Sequence, residues 1–268
     1  MTRIYSLAQL TALPYDPPRL VQLAADTGAQ GCGIRLLPSS PGGPAYPLMN
    51  DPAMTRETLA RIEGTGVRVL DLEIIRIGEV FDAHAFLPFM EIGQRLGAQN
   101  ILVAGDDGDH ARLTANFAAL CEAAAPYGLT CDLEFMPWTL VPHLAAARRI
   151  VDGADQPNGG VLVDALHFAR SATTLEEVAR IPKARLHYAQ ICDGLVPGPT
   201  TTEGLIFDAR CARLLPGEGG IDLKGLFAQL PADLPVSIEI PHDVRAPAMG
   251  YEAWARAAFD ATRRLLEA

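Results

Sequence analysis

The sequence predicts a single (β/α)8 barrel over residues 1–268. Three observations predict it. Eight short apolar runs alternate with helical segments, the pattern of a parallel sheet buried under helices. The 268-residue length suits one barrel, which takes about 250 residues. No GxGxxG follows the first run, which counts against the alternative of an open doubly wound sheet, and no linker of biased composition divides the chain.

The expected strands, in order, are Ile4–Leu10, Gly33–Leu37, Val67–Ile74, Asn100–Ala104, Thr130–Phe135, Gly160–Asp164, Arg185–Ile191 and Val236–Ile240. Helical signals lie between them. Asp16 caps a helix that opens with Pro17 and ends at Gly28. Leu113, Phe117, Leu120, Cys121 and Ala124 follow helical spacing up to Gly128. Pro142 is expected to open the next helix, with Leu144, Ala147 and Val151 on one face. Thr174 and Glu177 form a capping box. The last helix carries Trp254, Ala258, Thr262 and Leu265 on one stripe. Two segments read as loops: residues 37–47 after the second strand, and the long stretch 193–220, a lid or binding loop.

Composition narrows the function. Hydrophobic residues make up 49% of the chain, enough for a large core, and the formal net charge is −10 from 32 acidic and 22 basic residues. Nucleic-acid binding needs a cationic surface that displaces counterions, so no nucleic-acid partner is expected. No signal-peptide pattern opens the sequence and no apolar run reaches membrane-spanning length. The five cysteines are widely spaced and form no CxxC pair, which implies reduced thiols and a cytoplasmic location. The expected partner is a small molecule; association into homo-oligomers is compatible with the sequence.

In such barrels the functional groups sit at the C-terminal ends of the strands. The last polar residues of the strands are Arg35, Glu73, Asp106 with Asp107, Glu134, Asp164, Gln190 with Asp193, and Glu239. Glu134, Asp164, Gln190 and Glu239 stand in otherwise apolar runs. A buried carboxylate is costly unless paired or bound to metal. Four polar groups on four adjacent strands therefore point to one divalent cation, held by Glu134, Asp164, Gln190 and Glu239. The alternative is a set of carboxylates satisfied by neighbouring arginines. If Gln190 binds through its carbonyl the ligand set is all oxygen, which suits Mg2+ or Mn2+. Such an ion would polarise a substrate carbonyl while two carboxylates act as acid and base.

These residues carry a likeness. LEFMPW around Glu134, VDALHFARS around Asp164 and His167, AQICDG around Gln190, LLPGEGGIDL from Leu214 and SIEIPHD around Glu239 resemble the xylose isomerase-like TIM barrels, the sugar phosphate isomerase/epimerase superfamily. The set runs in family order through the second half; the first half is similar only in its strand–helix rhythm. The resemblance implies the metal ligands Glu134, Asp164, Gln190 and Glu239. It also implies proton exchange by Glu134 and Glu239, and substrate contact by His167 of the D-x-x-H motif. Epimerases of the family generally carry His on the seventh strand. Gln190, with Arg213 upstream of the Pro216–Gly219 turn, is instead similar to the 3-dehydroshikimate dehydratase branch.

The leading reading is thus a divalent-metal-dependent sugar isomerase or epimerase that works through an enediolate. The second is a lyase that dehydrates a cyclic hydroxy-ketone, and the third a non-catalytic sugar-binding barrel. Trp138 is either a pocket wall or rim packing. His187, three residues before Gln190, is expected to face the helices. His242 and Asp243 follow the last strand, where they could reach a substrate. Arg35 either neutralises Glu73 or binds an acidic substrate. Arg210 and Arg213 are expected to grip a substrate carboxylate or phosphate from the long loop, the bland alternative being two surface arginines. Arg213→Ala should then leave thermal stability nearly unchanged.

Overall fold

The computed structural model of the protein describes residues 3–268. Eight parallel strands close in sequence order, each hydrogen-bonded to the next and the first to the last. They are β1 (Tyr5–Leu7), β2 (Gly31–Arg35), β3 (Arg68–Ile77), β4 (Asn100–Gly105), β5 (Thr130–Glu134), β6 (Gly159–Asp164), β7 (Ala189–Ile191) and β8 (Val236–Ile238). The larger core lies between the strands' outward faces and the surrounding helices. A smaller apolar cluster of Leu70, Ile74, Leu102, Ala104, Met136, Leu162 and Tyr188 is separate from it. Among the described residues, no helix is long and apolar enough to cross a membrane.

The helices form where local chemistry directs them. α1 (Pro17–Thr27) starts where the Asp16 carboxylate accepts from Arg19 N–H, and stops at Gly28, whose φ of 89° suits a residue without Cβ. α2 (Pro52–Thr65), α3 (Leu87–Leu96) and α4 (His110–Ala124) follow β2, β3 and β4. α4 buries Leu113, Phe117, Leu120, Cys121 and Ala124, the expected stripe. α5 (Leu144–Ala154) begins two residues later than Pro142 predicts, because His143 is the cap: its Nδ1 accepts from Ala146 N–H. α6 (Ala165–Arg170) leads to α7 (Leu175–Ala179), which opens with the Thr174–Glu177 capping box. All five cysteines are free thiols.

Three expectations are corrected. The first strand is three residues long rather than seven; beyond it Thr11 Oγ1 donates to Ile238 O and accepts from Ile240 N–H, folding the chain across the barrel mouth. The stretch 193–220 is not irregular throughout: Thr201 caps α8 (Thr202–Cys211). His187 does not face the helices. It precedes the start of β7, so strand alternation does not govern it, and its Nδ1 lies 2.7 Å from Asp132 Oδ1 at the end of the barrel opposite the mouth. The chain closes with α9 (Leu223–Ala228), α10 (Arg245–Met249) and α11 (Tyr251–Leu266).

Candidate metal centre

Register brings the rim residues together. Asp164 pairs with Gln190 across β6 and β7, Gln190 pairs with Ser237 across β7 and β8, and Glu134 pairs with Leu162 across β5 and β6. Alternation then turns Glu134, Asp164, Gln190 and Glu239 toward the barrel axis. All four are buried. Glu239 lies just past β8, its N–H still donating to Ile191 O at 3.1 Å.

Asp164 has two tasks. Its Oδ1 accepts from Leu166 N–H at 2.8 Å and His167 N–H at 3.0 Å, which caps α6. This short cap turns His167 back over the rim, so that its Nε2 lies 3.5 Å from Glu134 Oε1. Glu134, Asp164 and His167 each offer a donor atom, and these atoms lie within 4.8 Å of one another. Trp138 holds the imidazole edge-on, with ring centroids 5.0 Å apart. On the other side of the site, Gln190 Nε2 donates to Glu239 Oε1 at 3.1 Å.

Arg213 joins the two sides. Its guanidinium is 2% exposed. Nη1 donates to Asp164 Oδ2 at 2.6 Å, Nη2 lies 3.0 Å from Glu239 Oε2, and Nε donates to Ala209 O at 2.7 Å. Arg213 thus lines the cavity while its donors engage the rim carboxylates and the backbone. Its loss therefore bears on stability as well as on substrate, which revises the expectation of a stability-neutral substitution.

The electrostatics follow from burial and this one cation. Burial, with Asp164 and Glu239 nearby, pushes Glu134 well above the usual carboxylate range. Burial raises Glu239 to about 7 despite Arg213. Burial also acts to raise Asp164, but Arg213, His167 and the cap hydrogen bond outweigh it, and Asp164 sits below its ordinary value. Burial, reinforced by Arg213 and Arg170, lowers His167 to about 4, so its imidazole is neutral at pH 7.

The set fits a divalent cation. Three carboxyl groups face one arginine, so that ionised together they carry an excess of two negative charges, and Glu134 Oε1 and Gln190 Oε1 are buried without any hydrogen-bond partner. A dication would neutralise the remainder and engage both orphaned oxygens. His167 adds a neutral nitrogen donor to the oxygen set expected from sequence.

Above these groups opens a cavity of about 270 Å3. Glu73, Glu134, His167, Arg213 and Glu239 line it, with Met136 and Trp138 on one wall and Ser39, Ser40 and Pro44 on another. The lid contributes Ala209, Arg210 and Cys211 from α8. Asp193 fastens the lid's ends: its carboxylate accepts from the N–H groups of Gly194, Gly217, Gly219 and Ile221. Arg170 of α6 binds Asp208 of α8 at 2.8 Å. Arg35 neutralises Glu73, its Nε donating to Glu73 Oε2 at 2.8 Å. Arg76, which the sequence reading passed over, pairs with Asp106 at 2.7 Å and lines the cavity. The signal for it was its place at the C-terminal end of β3. Asp107 binds Arg112, and His242 meets Trp254 edge-on, with its Nδ1 facing the N–H groups of Val244 and Arg245. Asp243 lines the cavity.

Known proteins resemble this chain in sequence or in fold. A 3-dehydroshikimate dehydratase of Pseudomonas aeruginosa is 28% identical over 162 residues, 57% of this chain. The chain spans 25% of that relative's length. The solved structure of an IOLI protein with a bound zinc atom superposes with a TM-score of 0.81 at 18% identity, covering 98% of each chain. The apo 3-keto-D-glucoside 4-epimerase YcjR of E. coli superposes with a TM-score of 0.74 at 18% identity, covering 100% of each. Residues 21–265 match the family description itself, and the chain belongs to the xylose isomerase-like TIM barrel family.

Proposed function

We propose that the protein is a divalent-metal-dependent lyase that removes water from a hydroxy-ketone carrying a carboxylate, with 3-dehydroshikimate as the compound to test first. The observation that carries this reading is Arg210. It is half-buried at the cavity and forms no ion pair among the described residues, and its pKa is lowered by burial and by repulsion from Arg76 and Arg35. An arginine held beside two others without a counter-ion is a site for an anion. A neutral sugar would leave that charge uncompensated.

The rim residues divide the work. Glu239 is engaged at both oxygens, by Gln190 and Arg213, whereas Glu134 Oε1 is free of hydrogen bonds. Glu134 is therefore the base that takes the proton next to the ketone. The C–O bond then breaks, and the proton passes from Glu134 to the departing hydroxyl, which leaves as water and restores the carboxylate. His167, neutral and braced by Trp138, orients the reacting hydroxyl. A divalent cation held by Glu134, Asp164, Gln190 and Glu239, with His167 within reach, would polarise the ketone oxygen and offset the charge that develops there. The lid excludes water from the site while the proton is in transit.

The experiment is turnover of 3-dehydroshikimate, read by the absorbance of the unsaturated product, in metal-loaded and chelated protein. Metal-dependent product formation supports the reading. Exchange of substrate hydrogen with deuterated water and no elimination would favour an isomerase or epimerase instead.

A further inference from the structure

Beneath the rim, the barrel interior holds polar atoms that no other protein group hydrogen-bonds. Ser6 Oγ, Ser237 Oγ, Tyr188 OH and both carboxylate oxygens of Asp71 are buried without a hydrogen-bond partner. All four residues are 0% exposed. They come from β1, β8 and β3, and from the residue just before β7. Ser6 lies opposite Ser237 in the β1–β8 ladder. Ser237 and Tyr188 each precede a rim residue, Glu239 and Gln190, by two positions. Along their own strands they therefore lie about 6–7 Å below Glu239 and Gln190.

The neighbouring strand makes room for them. Gly31 stands opposite Ser6, and Gly33 opposite Asp71. A Cβ on Gly33 would fall 2.6 Å from Asp71 Oδ2, and one on Gly31 would fall 3.2 Å from Ser6 Oγ. The carboxylate thus fills the place where β2 carries no side chain and leans toward β1. Barrels of this class usually pack this region with Val, Ile and Leu; here two serines, two glycines, a tyrosine and an aspartate share it with apolar residues such as Leu70, Leu102 and Leu162.

Neither protonation state of Asp71 satisfies the group internally. An ionised carboxylate lacks any donor, and a protonated one leaves its O–H and carbonyl unpaired. Asp71 is nonetheless the strongest charge acting on the Tyr188 hydroxyl. None of these oxygens reaches another within hydrogen-bonding distance, so each lacks a partner that a ligand between them would supply. We propose that Asp71, Ser6, Ser237 and Tyr188 bind one monovalent cation, Na+ or K+, at a site distinct from the divalent-metal site above it. The donors are all hard oxygens, and with Asp71 ionised they carry a single formal charge among neutral hydroxyls, which matches a monovalent ion. The ion would also offset the repulsion that Glu73, Glu239 and Asp132 exert on Asp71. The proposal stands whether or not the reaction above is an elimination.

The test uses full-length protein stripped of divalent ions with EDTA. Thermal unfolding is followed as choline chloride is replaced by NaCl or KCl at constant ionic strength. Tm should rise saturably with at least one of the two ions, by about 5 °C at high occupancy, and the ion that acts at lower concentration is the one bound. Asp71→Asn should remove the dependence. Should that variant fail to fold, Ser6→Ala with Ser237→Ala carries the test, moving half-saturation at least about tenfold higher. Crystals soaked in Rb+ should show an anomalous peak between Asp71 and Tyr188. An identical Tm in all three salts, with no anomalous peak, means that water fills the space and overturns the proposal.

Discussion

Arg213 Nη1 lies 2.6 Å from Asp164 Oδ2, and this contact, with Nη2 at 3.0 Å from Glu239, makes one guanidinium the tie between the sixth and eighth strands. All three groups are buried. Removing one partner of a buried ion pair costs about 3–5 kcal/mol, and a chain of this size loses about 2–4 °C per kcal/mol. Arg213→Met should therefore lower Tm by about 10 °C in metal-free protein. Added Mn2+ should raise Tm more in the variant than in the native protein, because its carboxylates lack their counter-charge. A Tm within about 2 °C of the native value would remove the structural role assigned to Arg213.

Glu134 carries the proton in this account. Glu134→Gln keeps the shape and removes the base, so kcat should fall by about 10³-fold or more, with the fold intact by circular dichroism. Turnover at a tenth of the native rate or better would move the base elsewhere in the cavity, to Glu239 first.

Arg210 has no ion pair to lose, so its replacement separates binding from stability. Arg210→Ala should leave Tm almost unchanged and raise KM for an acidic substrate about 10–100-fold, the worth of one charged hydrogen-bonding contact. Arg210→Lys should recover only part of this, since lysine lacks the planar fork. Equal KM values in all three proteins would mean that the anion binds elsewhere.

His187 gives the fold a pH signature. The hydrogen bond and charge of Asp132 outweigh the effect of burial and raise the imidazole above its ordinary value of 6.5. A raised folded-state pKa stabilises fully below the unfolded-state pKa, and that contribution fades as pH rises through the folded-state value. The Tm difference between native protein and His187→Gln should thus be largest near pH 5.5 and shrink steadily above 6.5. A difference constant from pH 5 to pH 9 would show that the pair is not ionised.

The parts of the fold that could be read from the sequence are those set locally. Continuous apolar runs such as Ile101–Ala104 announce buried strands, and Asp16–Pro17 announces a helix start. Glu134 and Asp164 stood out because a charge inside an apolar run has to be compensated. Three features were hidden. α8 carries only a weak apolar face, and its cap Thr201 sits among turn-like residues. β7 is cut short because Arg185 N–H bonds back to Pro182 O and its side chain reaches Gly159 O. The Arg213–Asp164 contact joins residues 49 positions apart, and only the folded lid brings them together. Asp71 could have been noticed, as a carboxylate in an apolar strand, but it is not at the strand's end, where functional groups of such barrels are sought.

The central claim is that three carboxylates and Gln190 hold one divalent cation although Arg213 already sits among them. Titration of the chelator-treated protein with Mn2+, followed by the loss of the free-ion electron paramagnetic resonance signal, tests it directly. The account predicts one tightly bound Mn2+ per chain, lost in Asp164→Asn and in Glu239→Gln. A native protein that takes up no Mn2+ would contradict it, and would show that Arg213 alone satisfies Asp164 and Glu239.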